Sequence, residues 1–156
     1  MTLTLEEARS FRERFFAAYG GVAQWQQQIR EALPLTESRT LSSRRRQWTE
    51  PPGIAALYNT PVQGGAADIV KRALADLPQA LAGTGAVIVG TVHDEILVEV
   101  LEDRALEVAS LLKTTMEQAG QMYLARVPVV ADVRIALSWA TSSPWGHDSE
   151  GAAYPP

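Results

Sequence analysis

Leu5, Ala8, Phe11, Phe15 and Tyr19 recur every three or four residues, with charged side chains between them. That period places them on one face of a helix. Thr4 followed by Glu7 is a capping-box pattern for its start, and Gly20-Gly21 stops it. VAQWQQQIREAL predicts a second helix over 22–33, ended by Pro34. The short connection makes the two helices neighbours. LTESRTLSSRRRQWTE breaks the period. Its β-formers on either side of Ser42-Ser43 predict a β-hairpin or ordered loop with a basic tip. Pro51-Pro52-Gly53 is a break. From Ile54 a further segment leads into the helical stripe of Ala66, Ile69, Val70, Ala73, Leu74 and Leu77, which Pro78 is expected to kink or end.

Two apolar runs, AVIVGTV and ILVEV, flank a polar tip and predict a β-hairpin over 86–100, its strands buried and its tip emerging. A long helix follows, with Ala105, Val108, Leu112, Met116, Ala119 and Tyr123 on one face. VPVVADVRIAL predicts a closing strand. Residues 141–156 are rich in Ser, Pro, Gly and Asp and are expected to be poorly ordered. Helices and strands mix without regular βαβ alternation. The expected fold is therefore α+β with an antiparallel sheet.

At 156 residues the chain has one domain's length, enough to bury a core. It has no cysteine, which excludes disulfides and thiolate metal sites and fits a reducing cytoplasm. No apolar run approaches the roughly 20 residues of a membrane span, and the charged, amphipathic N-terminus does not read as a signal peptide. The net charge is −4. Free-standing nucleic-acid binders usually carry a basic balance, so a nucleic-acid partner would be held by a local patch. Arg44, Arg45 and Arg46 form the densest one, which is also what a solvated hairpin tip carries. Trp25, Trp48 and Trp139 read as core anchors, and His147 carries no expected role.

The 86–100 tip holds His93, Asp94 and Glu95. Two carboxylates on a rigid sheet edge can hold a hard divalent cation through oxygen ligands. Asp is equally an ordinary turn residue.

The motifs carry a resemblance. VHDEILVEV resembles motif C of the family A DNA polymerases, the bacterial DNA polymerase I group. YNTPVQGGAADIVKRAL, residues 58–74, resembles the helix before that block, whose usual pattern is Asn-x-Pro-x-Gln-Gly-Thr-Ala-Ala-Asp. TLSSRRRQW, 40–48, resembles the family's Thr-Leu-x-Gly-Arg-Arg segment. LEEARSFRERFFAAYGGVAQW, 5–25, is similar to the pair of helices after the fingers, and VPVVADVRIALSW, 127–139, to the closing strand and terminal Trp. Order and spacing agree over about residues 4–139.

The resemblance implies that residues 1–140 are the C-terminal palm and adjoining helices of a DNA-directed DNA polymerase, built on an antiparallel β-hairpin. Such enzymes extend a primer by attack of its 3′ hydroxyl on an α-phosphate between two metal ions, Mg²⁺ or Mn²⁺. It implies that Asp94 is a metal-ligating catalytic carboxylate and Glu95 a secondary catalytic acid. His93 then lies at the primer end, Asn59 and Gln63 touch the minor groove of the nascent pair, and Arg44, Arg45 and Arg46 meet DNA phosphates. The implied partners are primer-template DNA and a complementary polymerase fragment or further copies of the chain, with no membrane.

The sequence also departs from the family. Nothing in these residues matches the strand that bears the family's other catalytic carboxylate, or the fingers helix that binds the nucleotide. Asp132, the other acid expected in the sheet, matches a non-catalytic position. Ala55, Gly65 and Ser43 stand where Arg, Thr and Gly are usual. The basic segment before Asn59 is short. The chain is therefore expected to be active only with a complementing chain that completes the metal site. The alternative is a non-catalytic DNA-binding or protein-interaction remnant of a polymerase palm.

Overall fold

The computed structural model describes residues 3–139 and the backbone of 152–153. The chain divides into two compact units, Met1–Val62 and Gln63–Pro156.

In the first unit, helix α1 (Leu5–Ala18) starts with the expected capping box. The Glu7 amide donates to the Thr4 hydroxyl at 3.2 Å, and the Thr4 amide donates to the Glu7 carboxylate at 2.8 Å. Helix α2 (Gly20–Glu31) begins at Gly20, so the glycine pair that ends the first helix also opens the second. The apolar stripe of α1 is not core. No residue of α1 is buried, and Phe11 is 60% exposed. Its rings find one another instead, with Phe15 centroids 5.3 Å from Phe16 and 4.9 Å from Tyr19. Trp25 of α2 packs on Tyr58 at 5.7 Å, as an anchor should.

Strands β1 (Glu37–Arg39) and β2 (Arg45–Gln47) form the predicted hairpin, in the register Ser38↔Arg46. Helix α3 then runs from Ile54 to Ala80. It passes through Pro61 and continues beyond Pro78, where the sequence predicts an end or a kink. Proline removes one amide donor, and the ladder resumes after it. The Leu81 amide bonds the Leu77 carbonyl at 2.8 Å.

In the second unit, β3 (Val87–Val92) and β4 (Glu95–Glu99) are antiparallel, with a bulge between Ile88 and Gly90. A 3₁₀ turn (Glu102–Arg104) leads into α4 (Ala105–Gln121). The core is Ala73, Leu77 and Leu81 of α3 and its end, Ile96 of β4, and Val108, Leu112 and Ala119 of α4. The strands are less buried than expected. Val87 and Val89 are 59% and 51% exposed, because α3 and α4 cover one face of the hairpin and leave the other open. The expected closing strand shrinks to β5 (Arg134–Ile135), paired with β6 (Ala152–Ala153). Residues 128–133 join no ladder. Tyr123 lies just past the end of α4.

The fold is α+β, with four α-helices and antiparallel hairpins among the described residues. Apart from the backbone of 152–153, the tail expected to be poorly ordered lies outside the described residues. Among the described residues no helix is long and apolar enough to cross a membrane.

Candidate functional site

Hairpin β3–β4 closes with two residues, His93 and Asp94, between the paired Val92 and Glu95. A two-residue loop needs positive φ at its first position to follow the strands' right-handed twist. His93 supplies it, with φ 55°. A side chain there is strained, because its Cβ crowds the backbone. The Thr91 hydroxyl donates to the Glu95 carbonyl at 2.9 Å and ties the two strands at the tip. His93, Asp94 and Glu95 are all exposed. The sequence placed these three together, and the structure does too.

Asp94 and Glu95 also line a cleft of about 550 Å³ in the second unit. Its lining comes from β4, from residues 129–134, from Ala66, Ile69 and Val70 of α3, and from Leu112 and Met116 of α4. Asp132 and Arg134 reach the same cleft. So does Trp139, which is 53% exposed and is not the core anchor expected of it. The cleft was not visible in the sequence. Neither was Gly120, where an added Cβ would lie 2.6 Å from Val129 Cγ1. Gly120 therefore lets the segment before β5 lie directly on α4.

Carboxylate oxygens are the right donors for a hard cation, which takes about six ligands. Asp94 and Glu95 offer the chemistry but not the number. Among the described residues no three acids or histidines stand close enough to hold a metal ion. The two acids offer donors for a divalent cation and do not make a site by themselves.

The other expected contacts lie apart from the tip in sequence. Asn59 and Gln63 are exposed on α3, four residues apart. Arg44 stands in the turn of hairpin β1–β2, and Arg45 and Arg46 open β2, all three exposed. The Arg46 guanidinium lies 5.1 Å over the Trp48 ring, so half-buried Trp48 is a platform for an arginine more than a core anchor. Arg45 pairs with Glu37 at 3.5 Å, and Arg39 pairs with the same carboxylate at 2.9 Å. Ser43, at the turn, has φ 63°, which accounts physically for a glycine preference at this position.

This architecture, an α+β unit presenting paired acids on a hairpin tip and a separate arginine hairpin, is that of a polymerase-domain segment. Residues 1–141 match the model of DNA polymerase family A, and the chain belongs to that family. It is 34% identical to DNA polymerase I of Aquifex aeolicus over 142 residues, which are 88% of this chain and 24% of that protein. Against DNA polymerase I of Deinococcus radiodurans it is 34% identical, covering 85% of this chain and 15% of the relative. Against the thermostable DNA polymerase I of Thermus filiformis it is 35% identical, covering 86% and 17%. The chain thus spans a quarter or less of the length of these relatives. Among solved structures it resembles the POL domain of Pol1 from M. smegmatis in complex with DNA primer-template and dNTP. The TM-score is 0.66 at 32% identity, covering 75% of this chain and 23% of that one.

Proposed function

We propose that these residues are the C-terminal palm and adjoining helices of a DNA-directed DNA polymerase, contributing one half of a two-metal nucleotidyl-transfer site. The observation that carries this reading is the pair Asp94-Glu95, held on a two-residue hairpin tip by the Thr91–Glu95 hydrogen bond. Asp94 would hold Mg²⁺ or Mn²⁺, with Glu95 as a secondary acid. When bound, such ions activate the attacking primer oxygen and stabilise the leaving one. His93, beside Asp94 in the two-residue loop, would meet the primer end. Asn59 and Gln63 supply amides for minor-groove acceptors, which all base pairs share, so they would test pair shape without reading sequence. Arg44, Arg45 and Arg46 would neutralise template or primer phosphates. The second carboxylate and the nucleotide-binding fingers must come from polypeptide outside these residues. A cytoplasmic setting agrees with the absence of cysteine.

One observation favours a second reading, that of a non-catalytic DNA- or protein-binding palm. Among the described residues, the acids do not complete a metal site by themselves.

Primer extension separates the two readings. The isolated chain should add no nucleotide. Mixed with the portion of Deinococcus radiodurans DNA polymerase I that precedes its match, it should extend a primer, and Asp94→Ala should abolish that activity. Extension by the chain alone would refute the account of the missing carboxylate. Failure of every mixture, with DNA binding retained, would favour the remnant.

A further inference from the structure

We propose that the groove between α1 and α2 is a binding site for a phosphoryl dianion, either free inorganic phosphate or the monoester group of a small molecule. The inference lies outside the polymerase reading and does not depend on it. The groove belongs wholly to the first unit and measures about 380 Å³, within the roughly 300–1,000 Å³ of small-molecule pockets. Its lining includes Arg12 and Phe16 of α1 and Gln24, Gln26, Gln27 and Arg30 of α2. Among the described residues no acid lines it.

Both cations are held in place and left unneutralised. The Arg12 guanidinium lies 5.2 Å from the centre of the Phe16 ring, and that of Arg30 lies 5.6 Å from the centre of the Tyr58 ring. Tyr58 is itself fixed, by Trp25 at 5.7 Å and by its hydroxyl donating to the Gln26 carbonyl at 3.4 Å. An aromatic face restrains a guanidinium without cancelling its charge. Among the described residues neither arginine makes an ion pair. Glu31, next in the chain to Arg30, accepts instead from the Gln27 carboxamide at 2.9 Å. Gln26 offers its side-chain oxygen to Arg30 at 3.4 Å, which leaves its NH₂ group as a donor. The chemistry of this lining selects the ligand. Two guanidinium forks match a group with two negative charges and several oxygens. A phosphoryl monoester has both near pH 7, and a single carboxylate does not. Phe16, the one ring among the described lining residues, already carries Arg12 on its face, so the groove suits a bare phosphoryl group better than a stacked base. A bound anion would bridge α1 and α2 across the Tyr19–Gly20 joint and stabilise the unit by mass action.

The test is a titration of the ¹⁵N-labelled full chain with inorganic phosphate, and separately with glycerol phosphate, at an ionic strength held constant with NaCl. Amide and carboxamide shifts should saturate, and should concentrate at Arg12, Phe16 and residues 23–30. Arg12→Gln and Arg30→Gln should each weaken binding at least about tenfold. Arg12→Lys keeps the charge and loses the fork, so its affinity should fall between parent and Arg12→Gln. Arg9→Gln removes an equal charge from an exposed position of α1 outside the groove. It should change the affinity less than about twofold, because salt screens a charge at that remove. The ligand that binds more tightly identifies the source of the phosphoryl group. Shifts that never saturate, that NaCl alone reproduces, or that survive both Gln variants would overturn the proposal. So would equal binding of succinate, or a primer-template duplex that moves these residues where phosphate does not.

Discussion

Thr91 and Glu95 are joined across the hairpin tip, hydroxyl to carbonyl, at 2.9 Å. The bond fixes the last turn of backbone before Asp94, and it is exposed, so its contribution lies at the low end for a neutral hydrogen bond. Thr91→Val keeps the β-branched shape and removes the donor. It should destabilise the fold by about 0.5 kcal/mol. In a complemented polymerase it should lower kcat much more than DNA affinity. Chemical denaturation and single-turnover extension measure the two effects, and equal losses in kcat and affinity would deny the tip a positioning role.

The two left-handed side chains should separate stability from function. His93 (φ 55°) and Ser43 (φ 63°) both occupy backbone that suits glycine. Glycine relieves the Cβ clash but adds freedom to the unfolded chain, and the two effects largely offset. Each substitution should still stabilise by about 0.5 kcal/mol, raising Tm by about 1–2 °C. Ser43→Gly should leave extension by the complemented enzyme unchanged, whereas His93→Gly should lose primer-end contact and slow it. Calorimetry beside an extension assay tests both. A lower Tm in both variants would mean that the side chains, not the backbone, hold these turns.

Much of this was legible in the sequence because it is local. The capping box at Thr4 and Glu7, the stripe Ala73–Leu77 and the alternation around Asp94 each declare themselves within a few residues. What was not legible depends on partners distant in the chain. The cleft draws on α3, β4, α4 and 129–134, four stretches that no sequence window contains. The misread strand burial has the same cause, since period and composition do not say how many faces a hairpin has covered.

Gly120 illustrates the point with a measurable consequence. A Cβ there would lie 2.6 Å from Val129 Cγ1 and 2.9 Å from its Cγ2, with the Val129 Cβ itself at 3.1 Å. A β-branched side chain cannot swing its Cβ away, so the backbone at 129 must move. Gly120→Ala should cost about 1–3 kcal/mol despite alanine's better helix propensity. It should also shift the amides of 129–134. A neutral or stabilising result by urea unfolding would show that this segment yields freely.

Helix α1 should carry a pH signature. Hydrogen bonds from the Thr4 backbone and then its side chain hold the Glu7 carboxyl below its ordinary value of 4.5. The folded value is depressed, so the stabilisation is present above that ordinary value and is lost as pH falls through the folded one. Helicity of α1 should therefore drop as acidification proceeds below that ordinary value. Glu7→Gln should flatten that part of the profile while retaining part of the cap. Circular dichroism of the two proteins between pH 6 and 2 reads the difference, and superimposable acid limbs would remove Glu7 from the account.

The arginine hairpin makes the sharpest prediction about DNA, because Arg45 already has a carboxylate partner in the structure. Arg45 is drawn to Glu37 at 3.5 Å, and Arg39 competes for the same carboxylate at 2.9 Å. Exposed pairs of this kind contribute little to stability, but they must be broken or shared when a phosphate arrives. Each phosphate neutralised on duplex DNA contributes about −0.9 to the slope of log K against log salt, so three arginines set a limit near −2.7. With Arg45 partly neutralised, the slope should be shallower than that limit. Glu37→Gln frees Arg39 and Arg45 together, and should tighten binding and steepen the slope toward or past −2.7. Replacing Arg44, Arg45 and Arg46 by Ala should flatten it, and Asp94→Ala should leave it unchanged. Fluorescence anisotropy with a primer-template duplex over a salt series measures all four proteins. If the triple replacement binds like the parent, the DNA lies elsewhere and the hairpin tip is a solvated turn.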